Sequence, residues 1–323
     1  MSSRGFVGCL LGVATGVMWA FSSPISRYLS SQPIPMITFN VARLLMTTLI
    51  IGLWFVVKDR GGLKVPWSTL GILALLAPLV GLGLYYGFAM SVVYVPVAIG
   101  LVIHYTFPLC VTLLVWLLYG ERPLVADWVS AGLILIGVFV SGLTPEWRLD
   151  ASLQWPGVWW GLFAVAGMVA QTLVSRKVTK EGRIKPLTLL FYTHLMGSFW
   201  VAFYASLTDA TGLGLLTAFD WALVGVQALF SSALAYGCYA LAMNYIRAST
   251  ASMMCSIEIV GAVGISWLWL GERPTLPHIM GCLFVCAAII LVGAAQILRE
   301  GRHGRLKEGE RDDGTDQRLE PTA

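Results

Sequence analysis

Apolar residues in this chain come in long unbroken runs, and charged residues and prolines are confined to the gaps between them. Ten runs are long enough to cross a bilayer, which takes about 20 mostly apolar residues in a helix. They cover residues 6–28, 36–57, 67–90, 97–119, 124–142, 157–176, 187–207, 220–242, 249–270 and 277–298. The gaps hold Pro33 and Pro35, Lys58 to Pro66, Pro123, Pro145 to Pro156, Arg176 to Pro186, and Pro274 with Pro277. From Arg299 onward, acidic and basic residues alternate with few apolar ones, so 299–323 reads as a disordered cytoplasmic tail.

The pattern repeats. Trp116-Leu117-Leu118-Tyr119-Gly120-Glu121-Arg122-Pro123 returns as Trp267-Leu268-Trp269-Leu270-Gly271-Glu272-Arg273-Pro274, an offset of 151 residues (Gly271 against Gly120). The same offset pairs Tyr85 with Tyr236, Ala89 with Ala240 and Tyr94 with Tyr245. Turn chemistry accounts for Gly at a helix end and Pro at the next start. It does not account for the register of the flanking matches, which indicates an internal duplication. The first runs of each half also match, at an offset of 149: Gly8 with Gly157, Gly12 with Gly161, Ser26 with Ser175 and Arg27 with Arg176.

Each copy, 6–142 and 157–298, holds five runs. Because five is odd, the second copy threads the membrane in the opposite sense. The predicted fold is an all-α membrane protein of ten helices in two inverted five-helix repeats, an arrangement common among secondary transporters. Gly8, Gly12 and Gly16 lie on one helix face and suit close helix packing in lipid.

Composition sharpens this. The chain is 57% hydrophobic and only 12% charged, with a mean hydropathy of +0.77, where a soluble domain carries about 25% charged residues. The bilayer is therefore an expected partner. The net charge of +4 sits in short loops and the tail and gives no footprint for nucleic acid. Lys58, Arg60, Lys64, Arg122, Arg176, Lys177, Lys180, Arg183, Lys185 and Arg247 fall on one side, against Arg27, Arg148 and Arg273 on the other. The bias of Lys and Arg toward the cytoplasm then puts both termini inside. The six cysteines all lie in apolar runs, so no disulfide is expected, and Cys282 with Cys286 is a packing pair rather than a metal site.

Charges inside a span cost about 2.5–3.5 kcal/mol each or more, so each calls for a reason. Four deep ionisable residues stand out: Arg43, His104, His194 and Glu258. Glu258 shares a helix face with the small residues Ala251, Cys255 and Ala262, which leave room for a ligand, and is the leading candidate for binding a substrate amine, a proton, or both. Its alternative is a structural hydrogen bond to a neighbouring helix. His104 falls at the position of Cys255 and Phe107 at that of Glu258, which sets His104 on the equivalent face of the first copy. Arg43 and His194 occupy equivalent positions, where a shared structural role competes with contact to a substrate carboxylate. Tyr85, Tyr236, Asn40 and Asn244 add polar groups within the runs. Pro78 and Pro108 interrupt their helices. Neither a Gly-Lys-Ser/Thr phosphate loop, nor His-Glu-x-x-His, nor Gly-x-Ser-x-Gly occurs, so no ATP drive, metal, cofactor or enzyme is indicated.

The repeated segment ending Leu270-Gly271-Glu272-Arg273-Pro274, Trp19 before Ser22-Ser23-Pro24, and Arg43 in Ala42-Arg43-Leu44-Leu45 resemble the drug/metabolite transporter superfamily, EamA type. The likeness runs over residues 6–298. It implies a ten-helix carrier of the inner membrane that moves small organic solutes by alternating access, with export of amino acids or related amphipathic metabolites as the leading expectation and protons as a candidate coupling ion. Carriage of phosphorylated solutes such as nucleotide sugars, or a passive channel, are the alternatives. The sequence departs from the family pattern at Ile259, where Pro108 keeps it in the first copy, and at His194, opposite Arg43.

Overall fold

In the computed structural model, residues 3–95, 97–148, 154–182, 184–208 and 212–316 are described. Arg183 and residues 317–323 lie outside them. The described residues form helices and no strand. Nine helices are long and apolar enough to span a bilayer: α1 (Arg4–Ser30), α2 (Met36–Lys58), α3 (Trp67–Tyr94), α4 (Ile99–Tyr119), α6 (Trp155–Val178), α7 (Pro186–Leu207), α8 (Ala218–Ala242), α9 (Ala248–Leu270) and α10 (Leu276–Arg299). The tenth, α5 (Val125–Ser141), is shorter but equally apolar. The backbone of α10 continues as helix to Asp316, past the Arg299 at which the sequence reading begins a disordered tail. The Glu, Lys and Arg that mark this segment as polar are also good helix formers.

The two five-helix units are alike in their irregularities. Gly120 and Gly271 both end a fourth helix with positive φ, 67° and 72°, the left-handed cap that glycine adopts without a Cβ clash. The next helix starts the same way in each unit. Asp127 accepts from the Leu124 N–H, and at the equivalent place His278 Nδ1 accepts from the Thr275 N–H. The units pack across each other. A Cβ on Gly12 would meet Met254 Cβ at 2.7 Å, and one on Gly157 would meet Tyr94 Cβ at 2.8 Å. Thus α1 runs beside α9 of the other unit, and α6 beside the α3–α4 corner. The fifth helices close the assembly antiparallel: Ser130 donates to the Ala288 carbonyl, while a Cβ on Gly137 would meet the Gly281 carbonyl.

Three helices that read as continuous in the sequence are interrupted. α4 breaks after His104 and resumes at Phe107, and α9 breaks after Met254 and resumes at Ile257. These are the same place in the two units. α1 breaks at Ala20 and Phe21, ahead of the Ser22-Ser23-Pro24 bend. The third helices carry wide π-helical stretches, Leu79–Gly87 and Gln227–Leu234. Pro78 precedes the first, yet the second forms without proline.

We call the side on which α1 begins the near face and the other the far face. The near face is fastened by ion pairs: Arg176 with Glu121, Lys185 with Asp59, and Arg247 with Asp127. The last is bidentate, with Nη1 to Oδ2 at 2.7 Å and Nη2 to Oδ1 at 2.9 Å, and Gln296 accepts from the same guanidinium. No disulfide joins the cysteines among the described residues.

Candidate functional site

A cavity of about 860 Å³ lies between the units and opens at the far face. Arg27, Ser30, Thr144 and Glu272 line its mouth. Its inner wall draws on α1, α2, α3 and α4 from the first unit and α6, α8 and α9 from the second. That size suits a small organic ligand, for which pockets of roughly 300–1,000 Å³ are usual.

The irregular segments built above converge on this wall. Arg43 projects from α2. Its Nε donates to Ser232 Oγ at 3.1 Å, on the π-helical stretch of α8, and its Nη1 donates to Ser22 Oγ at 3.1 Å, just past the break in α1. Its guanidinium carbon lies 4.7 Å from the centre of the Tyr85 ring, on the π-helical stretch of α3. Gln227 reinforces the corner by donating to the Ser22 carbonyl and Ser26 Oγ, both at 3.0 Å. A planar cation with several donors can hold all these partners at once, which an ammonium cannot.

Glu258 lies in the first turn of the second half of α9, and its Oε2 accepts a 2.8 Å hydrogen bond from Tyr105 OH. Glu258 stands at the N-terminal end of this half-helix, where the positive end of the helix dipole favours anionic groups, while the Glu258 and Ile259 N–H groups themselves bond to the Cys255 and Ser256 carbonyls. Arg43 and Glu258 line the same cavity. His104 also lines it, at the end of the first half of α4. The His104 ring is surrounded by aromatic groups, with centroids at 4.8 Å to Phe88, 5.8 Å to Tyr105 and 5.6 Å to Phe107. Its Nδ1 is buried without a hydrogen-bond partner among the described residues, as is Trp19 Nε1 on the same wall.

The other sequence candidates divide. Tyr85 and Tyr236 line the cavity with ring centroids 6.3 Å apart, and Trp19 packs on Tyr236 at 5.0 Å. His194 stands behind Tyr85 and outside the lining. Its Nε2 shares a 2.8 Å hydrogen bond with Tyr85 OH, and its Nδ1 another of 2.8 Å with the Leu190 carbonyl. Arg43 and His194, equivalent by duplication, therefore meet on one tyrosine, the first on its face and the second on its hydroxyl. Asn40 lines the cavity but donates to the Met36 carbonyl of its own helix. Asn244 does not join the group. It is exposed in the turn after α8, at the near face, because α8 ends at Ala242, short of it.

Tyr105, Ser22 and Ser232 as direct partners of the buried charges escape a sequence reading. A tyrosine in an apolar run carries no cost that demands explanation, and serines are common near helix bends. The signal within reach is Tyr105 next to His104 at a position matched by the break in α9.

Among solved structures, one described only as the crystal structure of a protein is similar in fold, with a TM-score of 0.75 at 14% identity, covering 91% of this chain and 98% of the other. No curated protein matches the sequence. The model of the EamA-like transporter family matches residues 6–143 and again 155–294, one match to each unit. Two matched units, ten apolar helices and a central cavity shared between them have one common meaning: the chain belongs to the EamA-like transporter family of the drug/metabolite transporter superfamily and is an integral, multi-pass membrane transporter.

Proposed function

We propose that this transporter is a secondary carrier that exports a small zwitterionic metabolite, an amino acid or a related amphipathic compound, by alternating access. The observation that carries the reading is one cavity, open at a single face, that holds both a guanidinium and a carboxyl. Arg43 is the partner for a substrate carboxylate and Glu258 for its amine, while Trp19, Tyr85 and Tyr236 supply an apolar wall for the side chain. Half-helices that end near the middle of the bundle are how carriers present backbone dipoles to a polar substrate. Glu258 is also the candidate proton site, since its carboxyl faces the open cavity and keeps Tyr105 OH as a hydrogen-bond partner.

With the basic loops in the cytoplasm, the near face is inside and the cavity opens outward, as a carrier would after delivering its cargo. Phosphorylated solutes fit less well, because Arg43 is the one cation deep among the lining residues and Glu258 would repel a phosphate. An open channel is disfavoured by the ion pairs that fasten the near face.

The test is uptake of a panel of labelled metabolites into proteoliposomes, with and without a pH gradient. Saturable flux of zwitterions, lost in Glu258→Gln while the variant still inserts, is the expected outcome. Linear flux without saturation, or an unchanged Glu258→Gln, would sink the reading.

A further inference from the structure

The Gly-Glu-Arg-Pro turn occurs once at each face, and each copy gives its glutamate to an arginine of the other unit. Glu121, on the turn after α4, pairs with Arg176 at the end of α6. Glu272, on the turn after α9, pairs with Arg27 near the end of α1, with Nη2 to Oε1 at 3.1 Å and Nη1 to Oε2 at 3.4 Å. Arg27 and Arg176 match under the duplication, as do Glu121 and Glu272. The two pairs are therefore one contact made twice, on opposite sides of the bundle.

They differ in state. The Arg176 side chain is 7% exposed, and its guanidinium lies 3.9 Å from the centre of the Tyr119 ring. The Arg27 and Glu272 side chains are 60% and 39% exposed and line the cavity mouth. The position matching Tyr119 is Leu270, which offers no ring to its arginine. So the covered arginine lies at the closed face and the exposed one at the open face, while their glutamates differ less, at 29% and 39% exposed. In an inverted repeat, the opposite state of the carrier arises when each unit takes up the conformation of the other.

We propose that the Arg176–Glu121 and Arg27–Glu272 pairs are a matched set of gates that exchange burial as the carrier turns over, with Tyr119 biasing the protein toward closure of the near face. The proposal rests on the alternating-access reading. When the near face opens, Arg27 and Glu272 are drawn inward over the cavity mouth while Arg176 and Glu121 become exposed. Tyr119 covers its arginine by a cation–π contact that Leu270 cannot reproduce, which gives the two otherwise equivalent states unequal populations.

The test places a single reporter cysteine, Ala262→Cys, in the cavity of a full-length chain whose six native cysteines are serine. Its modification by a membrane-impermeant thiol reagent is followed from each face in sealed vesicles of both orientations. The parent is modified faster from the far face. Glu121→Gln and Tyr119→Leu each raise modification from the near face and lower it from the far face, so that the near-to-far ratio rises by about fivefold, the factor that roughly 1 kcal/mol commands. Exchanging the charges, Glu121→Arg with Arg176→Glu, re-forms the ion pair without the Tyr119–Arg176 contact, so its labelling matches that of Tyr119→Leu rather than that of Glu121→Gln combined with Tyr119→Leu. Flux that falls while labelling from both faces stays unchanged would reduce the pairs to structural contacts and overturn the proposal. If the cysteine-free chain does not insert, hydrogen exchange of the otherwise native chain in lipid nanodiscs decides. Glu121→Gln must then speed exchange around Gly120 and slow it around Gly271, and equal rates at both turns overturn the idea. Labelling and exchange need no substrate, so their outcome is separate from the carrier reading, which fails instead on absent saturable flux in the parent.

Discussion

Glu258 and Tyr105 show how one half-buried carboxyl is made tolerable. The carboxyl oxygen accepts the phenol proton at 2.8 Å, across two units of the fold. Removing that hydrogen bond in Tyr105→Phe leaves the carboxyl in place but changes how readily it holds an amine or a proton. The loss is worth about 1 kcal/mol for a neutral partner and up to about 3 for an ionised one, or about 5- to 150-fold in apparent substrate affinity. Transport kinetics across a pH series check this: apparent affinity falls and the pH profile moves, while expression and thermal stability stay near those of the parent. A profile superposable on the parent's would remove Tyr105 from the site. Arg43 makes the complementary point. It is held by Ser22, Ser232 and the Tyr85 ring, so its direction is fixed before any ligand arrives.

At the scale of elements, the carrier is shaped by where helices fail to be regular. The breaks in α4 and α9 and the π-helical stretches of α3 and α8 turn backbone groups and side chains toward the cavity. Regular packing surrounds them. A Cβ on Gly16 would stand 2.3 Å from the Cys255 carbonyl oxygen, at the break of α9. Gly16→Ala therefore pushes α1 away from the segment that carries Glu258. Overpacking of this kind costs about 1–3 kcal/mol. The expected result is a lower melting temperature in detergent together with reduced flux, whereas Gly71→Ala, whose Cβ would meet nothing within 4 Å, should leave the melting temperature as it is. Equal melting temperatures for the two variants would contradict the close approach.

On the scale of the whole molecule, the two units give the same contacts at opposite faces, and a single cavity opens at one of them. In the proposed alternating-access cycle, cargo binds at one face and leaves at the other, and exchange of labelled for unlabelled cargo requires only the loaded protein to turn over. Proteoliposomes preloaded with unlabelled substrate should accumulate labelled substrate transiently above equilibrium. A leak that equilibrates monotonically, whatever the internal load, would exclude a carrier cycle.

What could be read from the chain and what could not follow from one physical difference. Spans, repeats and the cost of burying charge depend on each residue's own free energy of transfer into lipid, which is local and additive along the sequence. So ten helices, their duplication, and the standing of Arg43, His104, His194 and Glu258 as deep ionisable residues were all legible from the sequence. Partners depend on which helices meet, and that is a property of the packed bundle. The tyrosine on Glu258, the meeting of Arg43 and His194 on Tyr85, and the exposure of Asn244 outside the cavity were decided there. The helix breaks lie between these two regimes. Pro108 hints at the one in α4, but Ile259 gives no such hint in α9, where the break follows residues whose side chains bond back to their own helix, Ser252 to the Ser249 carbonyl and Cys255 to the Ala251 carbonyl. The repeated Gly-Glu-Arg-Pro turn is the clearest case: the sequence repeats it behind different residues, Tyr119 and Leu270, and only the folded bundle shows which arginine is covered and which is exposed.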